Sequence, residues 1–326
     1  MVQYNDQEQV NHAKERGEFM RSQRPFRFGV TTRGAASLQE WRSKAREIED
    51  AGYATLVIAD HFSCDFSPIA ALLEAAEVTH LLRLGSFVFV NDFRHPALLA
   101  KEVATLDVLS GGRFELGLGA GGDREDYEQA GMAFDPGGTR LRRLEEALRI
   151  IQGLFSDEPL TFAGNFYTIK NLVGLPKPVQ RPSPPLLIGG SGKRLLALAA
   201  QQADIIGVHC TNDPQEQTEE ALARRVEWIR HMAAERFELL ELNLLILHVE
   251  VTAEPDRVAL SLIQERGWTG ITAQRVLDMP YFLIGSLDQI TEKIERLRQR
   301  YHVSYFVVFE RHRHAFAPVV ARLAGA

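Results

Sequence analysis

The chain has 326 residues, 45% of them hydrophobic, which is enough to bury a full core as one large domain or two small ones. A net charge of −6 leaves no basic footprint for nucleic acid, and no apolar run approaches the roughly 18 residues of a membrane span. Two cysteines, Cys64 and Cys210, are too few for a disulfide framework; with a polar N-terminal stretch that carries no apolar leader, they predict a cytoplasmic protein with reduced thiols.

Residues 1–24 show no apolar period and read as a mobile polar arm before a single domain over residues 25–326. From Phe26 onward the pattern alternates between short β-branched runs and longer stretches of helical period. Strands are predicted over Phe26–Thr31, Thr55–Ala59, Leu84–Val90, Phe114–Leu118, Pro185–Ile188, Asp204–His209, Leu244–Val251 and Tyr305–Phe309. The helices that trail them are Ser37–Ala51, Pro68–Thr79, Pro96–Leu109, Thr139–Phe155, Lys193–Gln202, Pro214–Glu235, Ser286–Tyr301 and Phe316–Leu323. Such a series predicts a (β/α)₈ TIM barrel with insertions. A doubly wound open sheet is the alternative, but it usually needs fewer units. Two segments break the alternation. Residues 156–183 hold Phe162, Phe166, Tyr167 and a proline-rich tail, and suit a strand or hairpin plus loop. Residues 254–284 carry helical stretches punctuated by Gly267, Gly270 and Pro280. Both are expected on the face at the strands' C-terminal ends, where such barrels carry function.

The candidate chemistry gathers at those strand ends. Asp60-His61 ends the second strand, and a histidine there can take or give a proton near neutral pH. Asn91 ends the third and could hydrogen-bond a planar heterocycle. The fourth strand runs into Gly119-Ala120-Gly121-Gly122, a glycine loop that lets backbone approach a ligand closely. Its formal match to G-x-G-x-x-G is a weak Rossmann signal, because three βα units precede it. Gly189-Gly190-Ser191-Gly192 lies between the fifth strand and a helix. It is not a Walker loop, since Leu187 and Arg194 occupy positions that need Gly and Ser or Thr, but its free N–H groups suit one phosphate or phosphodiester. His209, His248, Glu250, Glu310 and Arg311 end later strands and carry no assigned role. His312 and His314 alone do not make a metal site, and no metal is expected.

Taken together, these motifs resemble the luciferase-like flavin and deazaflavin oxidoreductase superfamily. The matching pieces are Ala51-Gly52-Tyr53, Ile58-Ala59-Asp60-His61, Arg83-Leu84-Gly85-Ser86 and, most specifically, the run from His95-Pro96-Ala97 through Leu109-Ser110-Gly111-Gly112-Arg113-Phe114 to Gly121. Pro185, Gly189-Gly190-Ser191-Gly192 and Ala203-Asp204 extend the likeness, which covers roughly residues 26–208 and is closest to the branch that uses coenzyme F420. The resemblance implies a luciferase-like (β/α)₈ barrel, a homodimer, and a cofactor ring in the mouth against the third strand. It implies a non-proline cis peptide around Phe87–Val88, with Ser86 just before it. It places Asp60 and His61 near the ring, with Asp60 orienting His61 or bonding the ring. Gly119, Ala120 and Gly121 would line the cofactor's side chain, and Gly189 to Gly192 would hold its phosphate. Gly122 stands where many relatives have tryptophan, which opens the mouth or loosens residues 123–131. The implied activity is F420-dependent hydride transfer to or from a small organic substrate. The alternatives are an FMN-dependent monooxygenase or reductase on the same barrel, and a cofactor-binding protein without catalysis. Aromatic residues in the excursions (Phe134, Phe162, Phe166, Tyr281, Phe282) suit either an apolar substrate or plain packing.

Overall fold

The computed structural model describes residues 24–326; apart from Arg24, the arm expected over residues 1–24 lies outside them. Short apolar runs form the strands β1 (Arg27–Thr32), β2 (Thr55–Ile58), β3 (Arg83–Ser86), β4 (Phe89–Val90) and β5 (Phe114–Gly119). The series continues through a hairpin, β6 (Leu160–Ala163) and β7 (Thr168–Leu172), to β8 (Leu186–Gly190), β9 (Ile205–Val208) and β10 (Glu241–Ile246). The last strands are β11 (His248–Val251), β12 (Phe282–Gly285) and β13 (Val303–Phe309). Parallel pairings run β3-β2-β1-β13-β10-β9-β8-β5, and a β3–β5 pairing closes the ring. The result is a closed eight-stranded parallel barrel wrapped by helices, a (β/α)₈ fold.

The helices are α1 (Leu38–Asp50), α2 (Pro68–Val78), α3 (Pro96–Leu109), α4 (Arg124–Gln129), α5 (Gly137–Phe155), α6 (Lys193–Gln202), α7 (Glu219–Ala233), α8 (Pro255–Glu265), α9 (Ala273–Asp278), α10 (Leu287–Tyr301) and α11 (Arg313–Leu323). Prolines open α2, α3 and α8 at the first turn, where no N–H is needed. Among the described residues, no helix is long and apolar enough to cross a membrane.

Two strands differ from their sequence assignments. The run expected over Leu84–Val90 divides into β3 and β4, with a cis peptide between Phe87 and Val88. The run expected over Leu244–Val251 stays in the barrel only as far as Ile246. There the Leu247 N–H donates to the Tyr281 carbonyl, and β11 leaves the ring to pair in parallel with β12. The excursion over residues 254–284 therefore holds α8 and α9 and ends in a strand. The three apolar side chains of β12 are too few to reveal a strand by period.

Alternation along β13 separates two apolar layers. Tyr305 and Val307 point into the barrel with Val57, Phe87, Leu187 and Ile205, whereas Phe306 and Val308 face the helices. At the N-terminal end the barrel is closed by charge. Arg27 donates to Glu115 at 2.6 Å and to Glu241 at 2.8 Å, Arg83 donates to Glu115 at 2.5 Å, and the Arg27 guanidinium lies 4.3 Å from the Tyr305 ring centroid. Burial alone would raise the Glu115 carboxyl, but Arg27 and Arg83 together hold it below its ordinary value. Burial pushes Glu241, which Arg27 alone pairs among these groups, upward.

The expected consequence is that Glu115→Ala, which strands part of a buried ion network, lowers stability by about 3 kcal/mol in urea titration. Because the folded carboxyl of Glu115 lies below its unfolded value, its contribution is present above the unfolded value. It is lost as pH falls through the folded one. The wild-type-minus-variant difference should therefore shrink in acid.

Candidate active site

Behind the mouth, β3 bends where Ser86 meets β5. Ser86 Oγ donates to the Gly117 carbonyl at 2.7 Å and accepts the Gly117 N–H at 3.1 Å. A Cβ at Gly117 would fall 1.9 Å from the Ser86 carbonyl oxygen, and one at Gly119 would fall 2.7 Å from Val88 Cγ2. The β5 glycines are thus required first by the bulge they seat. The bare backbone wall they leave is a second consequence. Phe87 and Val88, on the two sides of the cis bond, border the cavity in front.

That cavity, about 800 Å³ in volume, opens at the C-terminal ends of the strands. It brings together His61, Phe87, Val88, Gly119, Ala120, Gly121, Gly189, Gly190, Ser191 and Gly192 from the sequence-derived set. Asp60, Ser86 and Asn91 do not border it. Ser86 is consumed in the bulge. Asn91, buried, donates to Asp92 Oδ1 at 3.3 Å and to Tyr167 Oη at 3.4 Å, so its amide is directed into the protein rather than towards a heterocycle. Asp60 is a buried tie between strands: it accepts two bonds from Arg94, at 2.5 and 3.0 Å, and the Val90 N–H at 3.0 Å.

The expectation that Asp60 orients His61 is corrected by Asp126. His61 Nδ1 lies 2.5 Å from Asp126 Oδ2, and Asp126 Oδ1 accepts the Phe62 N–H at 3.2 Å. Consecutive residues of extended chain turn their side chains to opposite sides. The Asp60 carboxylate therefore goes inward while His61 faces the mouth. Asp126 sits on α4, a single turn after the β5 glycine loop, whose cap is Asp123. Nothing in the local sequence period marked that turn as a histidine partner. His61, Asp123 and Asp126 also converge within 4.8 Å, but both Asp126 oxygens already serve His61 and Phe62.

The opposite end of the cavity gathers open N–H groups and positive charge. Gly192 caps α6 and Pro136 caps α5, neither with a side-chain hydrogen bond, so first-turn N–H groups remain open at the cavity wall. Arg194 stands on the first turn of α6, and Arg140 on that of α5. Among the described residues neither makes a carboxylate pair; Arg140 donates to the Asp135 carbonyl and lies 3.8 Å from the Phe134 ring centroid. Sequence reading had missed both arginines. Their position one or three residues into a helix that follows a glycine turn was the available signal.

His209 was named in the sequence without a role. It caps the inner face of β9, its ring packed over Gly189 and Gly207, where an added Cβ would fall 2.9 and 2.8 Å from ring atoms. The Phe87 ring lies 5.4 Å away between centroids. His209 Nε2 is buried and has no hydrogen-bond partner among the described residues. Burial pushes the imidazole down to about 4, so a neutral ring forms this part of the cavity.

A backbone-lined cavity at the mouth of a parallel barrel, with a histidine on one side and open helix N-termini on another, lies where α/β-barrel enzymes carry their active sites. The profile of the family described as luciferase-like monooxygenase matches residues 23–304, and the chain belongs to that family of oxidoreductases. It is 33% identical over 109 residues to an FMNH(2)-dependent dimethylsulfone monooxygenase of Pseudomonas putida, covering 33% of this chain and 30% of that protein. It is 32% identical over 145 residues to an F420-dependent glucose-6-phosphate dehydrogenase of Microbacterium testaceum, covering 44% and 42%. These alignments span less than half of either relative. The coenzyme F420-dependent tetrahydromethanopterin reductase of Methanopyrus kandleri superposes with a TM-score of 0.73 at 19% identity, covering 92% of this chain and 99% of that one. At that identity the likeness is one of fold.

The depressed His209 has a measurable signature. The unfolded chain binds its proton below about 6.5, while the folded protein does so only below about 4. Folding stability should therefore fall as pH drops from 6.5 towards 4, by as much as about 3 kcal/mol from this residue. Urea midpoints for wild type and His209→Leu across that interval should show the wild type losing more.

Proposed function

We propose that the protein is an F420-dependent oxidoreductase acting on a small organic substrate, with the ring against Phe87 and Val88 and the phosphate at the α5 and α6 N-termini. The residues fit such a group. The glycine wall admits a flat ring, and the open N–H groups with Arg140 and Arg194 suit a phosphodiester. One observation favours F420 over a shorter flavin. A second groove of about 340 Å³ leaves the phosphate end, sharing Gly138, Leu141 and Arg194 with the main cavity and continuing between α5 and α6 past Arg142, Glu145 and Gln201. FMN ends at its phosphate, whereas F420 continues beyond it as an anionic chain.

When bound, the deazaflavin supplies a hydride at C5 for a C=C, C=N or C=O bond, or receives one in the reverse direction. The protein's own residues do the rest. His61 faces the mouth and holds or delivers a proton through Nε2 while Asp126 fixes its Nδ1. Phe87, Val88 and Leu245 exclude water from the reacting face. The identity to a dimethylsulfone monooxygenase supports a second reading, an FMN-dependent monooxygenase in the same cavity. We also propose a homodimer. Leu81 (83% exposed), Leu98 and Leu109 leave an apolar surface on and beside the neighbouring helices α2 and α3.

Titrating the apo-protein with F420 and with FMN, followed by absorbance, should give the tighter binding with F420; preference for FMN overturns that assignment. Arg194→Ala should weaken FMN about tenfold yet leave riboflavin, which lacks the phosphate, unaffected. His61→Ala should slow single-turnover hydride transfer by about 10²-fold or more with cofactor affinity nearly unchanged. Light scattering should give twice the 36.6 kDa chain mass, and a monomer mass would remove the dimer.

A further inference from the structure

Four arginines and one carboxylate, Asp123, line the main cavity of a chain whose net charge is −6. Two of the arginines serve the phosphate end. The other two, Arg33 and Arg311, lie just beyond the C-terminal ends of β1 and β13, adjacent strands in which Thr31 is level with Phe309. In the barrel order, β1 and β13 are three strands from β5 and β8 by either route. The pair therefore stands across the mouth from the phosphate end, on the β1 side of His61.

Both guanidinium groups are held in place by neutral acceptors. Arg33 Nη2 donates to the Ser63 carbonyl and to Ser63 Oγ, each at 2.6 Å. Arg311 Nε donates to His312 Nε2 at 3.1 Å, and Nη2 reaches the Leu247 carbonyl at 3.4 Å. His312 can accept only as a neutral ring. Burial, then the charge of Arg311 and the neighbouring His248, push it down to about 4, which keeps it so. The Arg311 guanidinium also lies 4.7 Å from the ring centroid of Phe309, itself part of the cavity wall. The carboxylate nearest in sequence, Glu310, is taken by Lys44 at 2.6 Å, with Thr32 and Arg313 also bound to it. Among the described residues, neither Arg33 nor Arg311 makes an ion pair. Both side chains are exposed at the rim of the cavity, so what distinguishes them is their placement: two cations on adjacent strand ends, each oriented by neutral acceptors and neither paired with an acid, face the same opening.

We propose that Arg33 and Arg311 form a subsite for the oxyanion of the substrate, making that substrate an organic acid, a carboxylate or sulfonate, whose reacting carbon is directed towards His61. This rests on the cofactor reading above for the role of the opposite end, but not for the existence of the subsite. The same chemistry could instead serve the anionic chain of the cofactor, and the experiment separates the two.

Octane-1-sulfonate and octanoate, with octan-1-ol as the neutral control, are titrated calorimetrically into wild type and into R33Q/R311Q, both unloaded and loaded with F420 or FMN. The acids are expected to bind wild type and to lose at least about tenfold in R33Q/R311Q, while octan-1-ol binds the two proteins equally. R33K/R311K should recover part of the loss, and circular dichroism melts verify that each variant is folded. Cofactor affinity should stay within about twofold in R33Q/R311Q. The proposal is overturned if neither acid binds wild type, if the double variant binds the acids as well as wild type does, or if it loses cofactor instead. Should neither cofactor bind any protein, the cofactor reading fails while the titration of unloaded protein still decides the arginine pair.

Discussion

The close approach of two backbones, at Ser86 and Gly117, is the constraint on which the mouth of this barrel depends. Ser86 ties itself to β5 through both groups of Gly117, and no side chain at 117 fits beneath its carbonyl. At that contact β3 stops at Ser86, Phe87 and Val88 cross the opening, and the strand resumes as β4. The stretch beyond is fixed by Asp60, which grips Arg94 and the Val90 amide from the end of β2. The site's rear wall is therefore rigid main chain, locked by hydrogen bonds that do not depend on a ligand.

Charge is arranged differently at the two ends of the barrel. At the N-terminal end, Arg27 and Arg83 are paired with Glu115 and Glu241, and the network is complete in itself. At the C-terminal end, three of the arginines that line the cavity, Arg33, Arg140 and Arg311, are bonded to carbonyls, a hydroxyl and an imidazole rather than to acids. The first arrangement closes the fold, and the second leaves positive charge at the strands' C-terminal face, where barrels of this kind carry function.

Much of this was legible in order along the chain. The βα alternation, the Phe87–Val88 position of the cis peptide and the glycine turns after β5 and β8 followed from period and from family likeness. The β11–β12 pair was not legible, since both strands are four residues long and they pair across a sequence interval that contains two helices. The Asp126 partner of His61 was missed for a similar reason. The two residues are 65 apart, and the six-residue helix that carries Asp126 is too short for a periodic signature.

By itself, the sequence determined the barrel, the end at which its cavity opens, and the glycines that the close backbone contacts there require. Those properties are local: hydrophobic period and glycine placement act over a few neighbouring residues. Only the tertiary structure decided which groups share a partner. It gave Asp60 to Arg94, His61 to Asp126, Glu310 to Lys44, and left Arg33 and Arg311 without an acid. Such pairings depend on distances between strand ends far apart along the chain, and closing the ring is what sets those distances.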